Sequence, residues 1–554
     1  MLQQIPEATW WKEAVVYQIY PRSFNDSNGD GIGDLNGITE KLDYLQNLGI
    51  DVIWLSPFYK SPNADNGYDI SDYQNIMDEF GSMQDFDNML AAIHKRGIKL
   101  MIDLVVNHTS DEHHWFKESK KDKTNIYRNY YIWKQNKQQT APNDWESFFS
   151  GSAWQLDEQT DEYYLHLFAK QQPDLNWDHE PLRKEIYDMM QFWLQKGVNG
   201  FRMDVIAFIS KDHSFPNYPK GQHGNLMLYA NGPKVHDYLK EMNREVLSKY
   251  DIMTVGEAFG VSAEEANLYV GKNREELQMI FHFDHAVNRA ENCFFTPDKE
   301  FTNPQLKSIF DKWDKAFAND GWNSIYWGNH DNPRIISRLG NAEKYHFESA
   351  TALASILLTL RGTPYIYQGD EIGMTNCHFT DIDEYNDIQV KNAYANLVKN
   401  ESEKTNFLTG ANIIARDHAR TPMQWNDKLN AGFSQGLTIW LKVNENFKHI
   451  NAKKDQQSAK SVFKFYQQLI AIRKNEKAFV YGDYINLQPE HLQLWHYTRT
   501  LGTIEITVIV NLSNDVCSIN LQQDKMVLLI SNYSTNDSVL LQPFEVRIYK
   551  KSIK

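Results

Sequence analysis

The stretch Gly200-Phe201-Arg202-Met203-Asp204-Val205 most constrains what this chain can fold into. Apolar residues flank one arginine and one aspartate, the pattern of a short buried strand. Charge inside a buried strand is costly unless it is paired or has a task. Side chains two apart on a strand share a face, so Arg202 and Asp204 point the same way. Alone, they read equally as a structural ion pair or as part of a site. Two further strand-like runs favour the site. Ile252-Met253-Thr254-Val255-Gly256 leads into Glu257, and Ser324-Ile325-Tyr326-Trp327 leads to Asn329-His330-Asp331. Three acids, each at the C-terminal end of its own strand, are what a parallel barrel needs to assemble one site from scattered segments.

The rest of the chain supplies such a barrel. Val15 to Tyr20 is a first strand, Leu35 to Leu48 a helix closed by Gly49, and Val52 to Leu55 a second strand. Met83 to Arg96 is a helix and Lys99 to His108 a third strand, a spacing that argues for right-handed parallel crossovers. Residues 109–177 break the alternation with a polar, aromatic, irregular insertion, and loops this long are usually functional. Alternation resumes with a helix over Pro181 to Lys196 and the strand carrying Arg202 and Asp204. Further strands follow at Met253 to Glu257, Leu277 to Asp284, Asn323 to Asp331 and Thr363 to Gln368, with helices at Val235 to Tyr250, Pro304 to Phe317 and Glu348 to Leu360. The count of strands is eight. A long loop region over Gly369 to Lys453 and a helix over Gln457 to Arg473 complete this part. Short alternating strands such as Ile504 to Val510 and Phe544 to Tyr549 then suggest a β-sandwich. The expected fold class is α/β: a (β/α)8 TIM barrel over 1–108 and 178–479, an insertion over 109–177 after strand three, and a C-terminal antiparallel β-sandwich over 480–554.

Composition narrows the partners. The net charge of −15 disfavours nucleic acid and anionic membranes, and no basic stripe is present. No apolar run approaches the length of a membrane span. Met1 to Glu7 has neither the basic nor the apolar region of a signal peptide. The three cysteines, Cys293, Cys377 and Cys517, are far apart and odd in number, which suggests neither disulfide framework nor zinc site and points to a reducing, cytoplasmic compartment. Aromatic residues reach 13%, and exposed ring faces suit sugar stacking.

After the first strand comes Asp26-Ser27-Asn28-Gly29-Asp30-Gly31-Ile32-Gly33-Asp34. Oxygen-bearing residues alternate with glycines as in the first nine positions of a calcium loop. The twelfth position, which should be acidic, is Gly37, so this is no helix-loop-helix calcium hand. A hard-cation site closed by other oxygens and an ion-free Asx-rich turn are both open readings.

Four separated motifs now carry a resemblance: Asp103-Leu104-Val105-Val106-Asn107-His108, Gly200-Phe201-Arg202-Met203-Asp204, Gly256-Glu257 and Asn329-His330-Asp331. In order, they resemble the signature regions of the α-amylase superfamily of retaining glycoside hydrolases, and within it the oligo-1,6-glucosidase/α-glucosidase group. The resemblance spans nearly the whole chain. It implies Asp204 as nucleophile, Glu257 as general acid/base and Asp331 as transition-state stabiliser, with Arg202 helping to keep Asp204 ionised. Retention requires the two reacting carboxyls to lie roughly 5–5.5 Å apart. Asp65 and Tyr68 resemble the floor for the terminal glucose, His108 and His330 its further hydroxyl partners, and Phe168 and Gln172 residues near the same pocket. Arg420 resembles the arginine that partners Asp65, blocks the pocket and restricts attack to chain ends. Asp26, Asn28, Asp30, Asp34 and the carbonyl of Ile32 match the group's calcium or magnesium loop. The resemblance implies no organic cofactor and a small oligosaccharide or disaccharide as partner, and leaves monomer or weak homodimer open.

Val205, after the nucleophile, resembles enzymes acting on α-1,6 links, where α-1,4-preferring ones tend to carry alanine. Ala207 stands where asparagine is common in oligo-1,6-glucosidases. Ala258-Phe259-Gly260 is similar to sucrose isomerases, although those tend to carry threonine at position 205. Sucrose hydrolases and isomerases, α-1,4-glucosidases and trehalose-6-phosphate hydrolases remain alternatives. Non-enzymatic superfamily members lose a triad acid or carry a membrane anchor; this chain keeps all three acids.

Overall fold

The computed structural model describes residues 8–135, 140–220, 228–287, 291–520, 525–534 and 539–553. Residues 1–7, on which the signal-peptide expectation rests, lie outside them. Eight parallel strands form the central sheet: β1 (Val16–Ile19), β2 (Val52–Leu55), β3 (Lys99–Val105), β4 (Gly200–Asp204), β5 (Met253–Glu257), β6 (Met279–Phe281), β7 (Ser324–Tyr326) and β8 (Thr363–Tyr367). Their order is β6-β5-β4-β3-β2-β1-β8-β7. A side-chain bond crosses between the two end strands: the Ser324 hydroxyl donates to the Ile280 carbonyl at 2.7 Å.

One face of these strands changes character along its length. Val16, Val52, Trp54, Met101, Met253, Val255, Met279, Phe281, Tyr326 and Tyr365 form one apolar cluster. Two residues further along, on the same face, stand Gln18, Ser56, Asp103 and Glu257. The barrel interior is thus apolar toward the strand starts and polar toward their C-terminal ends. Opposite-face residues, including Tyr17, Ile53, Ile102, Phe201 and Met203, pack in the larger core cluster with helix residues such as Leu45, Phe86, Trp193 and Leu357.

The strands and helices expected from sequence are present with shifted ends. Strands six and seven are shorter than expected, because both chains leave the ladder after three residues. The first helix divides at Lys41 into Leu35–Glu40 and Leu42–Leu48. The expected loop over Gly369 to Lys453 carries several helices; the two longest, Ile388–Leu397 and Glu401–Ile414, pack with Phe294, Phe379 and Tyr385 in a small core of their own. The insertion after β3 carries a three-stranded sheet, Trp133–Gln135, Trp154–Asp157 and Glu162–Leu165.

The C-terminal part is a five-stranded antiparallel sheet of β9 (Asp483–Asn486), β10 (Leu494–Leu501), β11 (Ile504–Asn511), β12 (Val527–Ser531) and β13 (Val546–Ser552), in the order β9-β10-β11-β13-β12. A two-stranded ladder, Cys517–Ser518 with Leu540–Leu541, accompanies it. Buried Lys307, on the helix Asn303–Phe317, ties it to the barrel: the ammonium donates to the carbonyls of Gln488, His491 and Leu494 at 2.6, 2.8 and 2.9 Å.

Candidate active site

The parallel register builds the centre of the site. It pairs Asp103 on β3 with Arg202 on β4, and Arg202 with Val255 on β5, two residues before Glu257. One guanidinium therefore reaches three acids from neighbouring strands. Arg202 Nη1 donates to Asp103 Oδ1 at 2.6 Å and to Asp204 Oδ1 at 2.7 Å, and Nη2 donates to Glu257 Oε2 at 2.5 Å. Asp103 also accepts from the Trp54 indole at 2.9 Å. On the opposite face of β5, Gly256 leaves room for Leu277 and Ile206, which a Cβ there would meet at 2.7 and 2.8 Å.

Asp204 and Glu257 are brought close together by the one guanidinium that binds both, at 2.7 and 2.5 Å. An inverting pair needs about 6.5–9.5 Å to admit a water, so this pair falls in the close, retaining class. Burial is the main cause that raises the Asp204 carboxyl well above the usual carboxylate range; Arg202 opposes it, and Glu257 and Asp103 add to it. Arg202 acts in the expected direction, favouring the ionised carboxylate, but its single charge is divided among three buried carboxyls and burial outweighs it in the free protein. Arg202 is almost wholly buried and outside the cavity wall, so it positions the three carboxyls and leaves the sugar to other groups.

Immediately after Asp204 the chain turns through a left-handed residue. Val205 has φ 35° and ψ 41°, an unfavourable conformation for a β-branched side chain. Its backbone N–H donates to Glu257 Oε2 at 3.1 Å.

The third acid, Asp331, stands beyond β7 in a turn. Its Oδ1 accepts from Arg420 Nη2 at 2.8 Å and Arg416 Nη1 at 3.3 Å, and Oδ2 lies 3.2 Å from His330 Nε2. The structure corrects the pairing expected of Asp65. Arg416, not Arg420, faces it, at 3.6 Å. Arg420 lies one helical turn later, where the His330 carbonyl and Asp331 claim its guanidinium. Arg416 is itself fixed by Asp387 through bonds of 2.6 and 3.0 Å. Sequence reasoning missed both Arg416 and Asp387. The signals were a second arginine four residues before Arg420, and an aspartate capping the helix Ile388–Leu397.

Other expected sugar-binding residues converge on this end. Tyr68 stacks on His330 with ring centres 5.1 Å apart and planes at 7°. Gln172 Nε2 donates to Asp65 Oδ2 at 3.1 Å and lies 3.2 Å from His108 Nε2. Phe168 packs against the His108 ring at 5.1 Å. Burial pushes His108 and His330 down to about 3, so both are neutral hydrogen-bonding groups at ordinary pH. Burial, opposed by Arg416, pushes Asp65 up to about 7, and its Oδ1 is a buried acceptor without a hydrogen bond. A sugar hydroxyl would satisfy it.

These groups open into a cavity of about 1050 Å³ at the C-terminal ends of the strands, walled by Asp65, Tyr68, His108, Asp204, Val205, Glu257, Asp331 and Arg416 at its polar end. Gln172, His330 and Arg420 stand behind this wall. Ala207 and Ala258, expected to set specificity, are likewise buried and absent from the wall. The turns after β4 and β5 present the next residues instead: Phe208 and Phe259.

The loop Asp26–Asp34 supplies oxygen donors suited to a hard cation, and Gly29 and Gly31 take φ of 83° and 92° to wind it. As folded, its side chains serve the turn. Asp26 accepts from the N–H groups of Asn28, Gly29 and Gly31, Asn28 from Asp30, Asp30 from Ile32 and Asp34 from Ser27. Among the described residues, no three acidic, histidine or cysteine side chains converge on a common point that could hold a metal.

With fold and geometry in place, the family is clear. Residues 18–482 match the family described as Alpha amylase, catalytic domain, and the chain belongs to it. Oligo-1,6-glucosidase of Bacillus cereus is 52% identical, covering 98% of this chain and all of its own. Oligo-1,6-glucosidase of Parageobacillus thermoglucosidasius is also 52% identical, covering 98% and 99%. Among solved structures, isomaltulose synthase of Erwinia rhapontici superposes with a TM-score of 0.94 at 46% identity, covering 98% and 99%. Among the described residues no helix is long and apolar enough to cross a membrane.

Proposed function

We propose that this protein is a retaining, exo-acting α-glucosidase that releases glucose from the non-reducing ends of short α-glucosides, with α-1,6 links preferred. The observation that carries the reading is the close pair of carboxyls, Asp204 and Glu257, under one guanidinium beside a cavity end built from Asp65, Arg416 and Asp331. A chain end fits such a pocket, whereas the middle of a polymer would have to pass through Arg416.

In the first step an Asp204 oxygen attacks the anomeric carbon, the glycosidic bond breaks, and Glu257 gives its proton to the departing oxygen. Arg202 and the Val205 N–H hold Glu257 while Asp331, held by Arg416 and Arg420, accepts sugar hydroxyls on the ring that distorts. Water then attacks the glucosyl ester of Asp204 as Glu257 takes back a proton, so configuration is retained.

Val205 on the cavity wall and the names of the 52%-identical relatives support the α-1,6 preference. A second reading, sucrose isomerisation, is favoured by the likeness to isomaltulose synthases and by Ala258-Phe259-Gly260. A sugar phosphate is the less suitable substrate: among the described wall residues Arg416 is the one full cation, and it is engaged by three acids. Isomaltose, maltose, sucrose and trehalose-6-phosphate, assayed with products separated by chromatography, test the reading. Glucose mainly from isomaltose is expected. Isomaltulose or trehalulose from sucrose would establish the second reading, and silence on all four would overturn both.

A reducing compartment fits the three buried cysteines. A divalent cation in the Asp26–Asp34 loop is a separate proposal, resting on the alternation of its oxygens. Chelator should lower the melting temperature of the wild type and leave Asp30→Ala unmoved; equal melting with and without chelator would remove the ion.

A further inference from the structure

Asp65 Oδ1 is a buried acceptor with no hydrogen bond, although Arg416 Nη2 stands only 3.6 Å away. Opposite charges this close in a dry pocket ordinarily meet at bonding distance. Asp387 prevents it. The Nη2 that faces Asp65 donates instead to Asp387 Oδ1 at 2.6 Å, and Nε donates to Asp387 Oδ2 at 3.0 Å.

Asp387 is in turn gripped by its backbone. Its N–H and that of Asn386 donate to Asp417 Oδ2 at 2.9 and 2.6 Å. Asp417 follows Arg416 directly in the chain. Two neighbouring residues therefore hold one segment: Arg416 by its carboxylate, Asp417 by its backbone. Asp417 is wholly buried, and its Oδ1 makes no hydrogen bond. Burial pushes its carboxyl up to about 6, Asp387 adds to the push, and Arg420 opposes it. A carboxylate kept in such a place implies a task.

Resting on the α-glucosidase reading, we propose that Asp417 is a positioning residue which, through Asp387, holds Arg416 back from Asp65 and so keeps Asp65 Oδ1 open to a sugar hydroxyl. Without that anchor, residues 386–387 retreat and Arg416 closes onto Asp65. The new ion pair then takes the acceptor that glucose needs. The reacting carboxyls, Asp204 and Glu257, are held separately by Arg202, so binding suffers and the chemical step does not.

α-Glucosyl fluoride and D-glucose test this, since neither carries a second sugar and both read the glucose end alone. Asp417→Asn keeps the shape of the side chain but not its charge. It should raise KM for the fluoride, and the competitive inhibition constant of glucose, about tenfold at nearly unchanged kcat, the order of one hydrogen bond to a charged group. Asp417→Ala, with no acceptor left, should raise both further; if it fails to fold, the asparagine variant carries the test. In an Asp65→Asn background Arg416 has no charge to close upon, so adding Asp417→Asn should leave KM nearly where Asp65→Asn alone put it. A merely structural Asp417 would raise KM by the same factor in both backgrounds. That result, or a fall in kcat at unchanged KM, overturns the proposal. Absence of fluoride release by the wild type would instead overturn the α-glucosidase reading, and the restraint on Arg416 with it.

Discussion

The backbone N–H of Val205 donates to Glu257 Oε2 at 3.1 Å from a left-handed conformation with φ 35°. Such backbone costs on the order of 1–3 kcal/mol. Here it aims an amide of the residue after the nucleophile at the acid/base. The residue expected to bias linkage preference thus also supports Glu257, through its backbone amide. Arg202 grips the same oxygen at 2.5 Å, so Glu257 is held from both sides and has little freedom to leave the reacting geometry.

Glu257→Gln removes proton transfer but keeps the shape and the Val205 contact. Isomaltose hydrolysis should fall about 10²–10⁴-fold. α-Glucosyl fluoride needs no proton for departure, so its first step should persist while the base-assisted second step stalls. A glucosyl adduct should then accumulate on the Asp204 peptide and be visible by mass spectrometry. Failure to find it, or finding it on another peptide, would move the nucleophile.

Asp387 and Arg416 should separate in kinetics. Asp387→Asn loosens an arginine that still carries its charge, so KM for isomaltose should rise more than kcat falls. Arg416→Met leaves Asp65 and Asp387 without their ion-pair partner and takes one of two arginines from Asp331. Breaking a buried pair from one side costs about 3–5 kcal/mol. That variant should melt lower and lose both parameters. Equal effects in the two variants would deny Asp387 its positioning role.

Asp65 ties stability to pH. Its folded value of about 7 lies above the unfolded value of about 3.9. Between those values the folded chain binds more protons than the unfolded one, so the stability from Asp65 is present at low pH and is lost as pH rises through 7. Asp65→Asn has no such proton. Relative to wild type, its melting temperature should climb between pH 4 and pH 8. A constant difference across that range would place Asp65 in a less apolar setting than its burial implies.

Lys307→Met should weaken the join between barrel and C-terminal sheet. Three carbonyls lose their shared donor, and a buried polar group left unpaired costs about 1–3 kcal/mol. The melting temperature should fall while KM for isomaltose at low temperature stays that of the wild type. A changed KM would show that the C-terminal sheet communicates with the site.

Much of this was legible from residue order. The eight strands show because their inward faces change from apolar to polar at fixed positions, and the three acids mark where. Specificity positions were harder. Ala207 and Ala258 sit one residue before the rings that line the cavity, and only the turn geometry after each strand decides which neighbour faces inward. Choosing between Arg416 and Arg420 likewise depends on how the chain enters a four-residue helix. The helix Glu401–Ile414 was hidden by Gly410, a poor helix former. Its value is tertiary: a Cβ there would meet the Phe294 carbonyl at 1.9 Å.

The cavity wall and the chemistry have different addresses in the chain. Asp204 and Glu257 sit on ladder strands where a shift of one residue would disturb the whole barrel. Phe148 and Phe149 come from the insertion, Gln389, Ala393 and Asn396 from the helix Ile388–Leu397, and Ala286 and Val287 from the segment after β6. These segments can exchange residues without touching the strands beneath. Inheritance can therefore keep the bond-breaking step fixed while substrate range drifts, so one scaffold can serve both a hydrolase and a synthase.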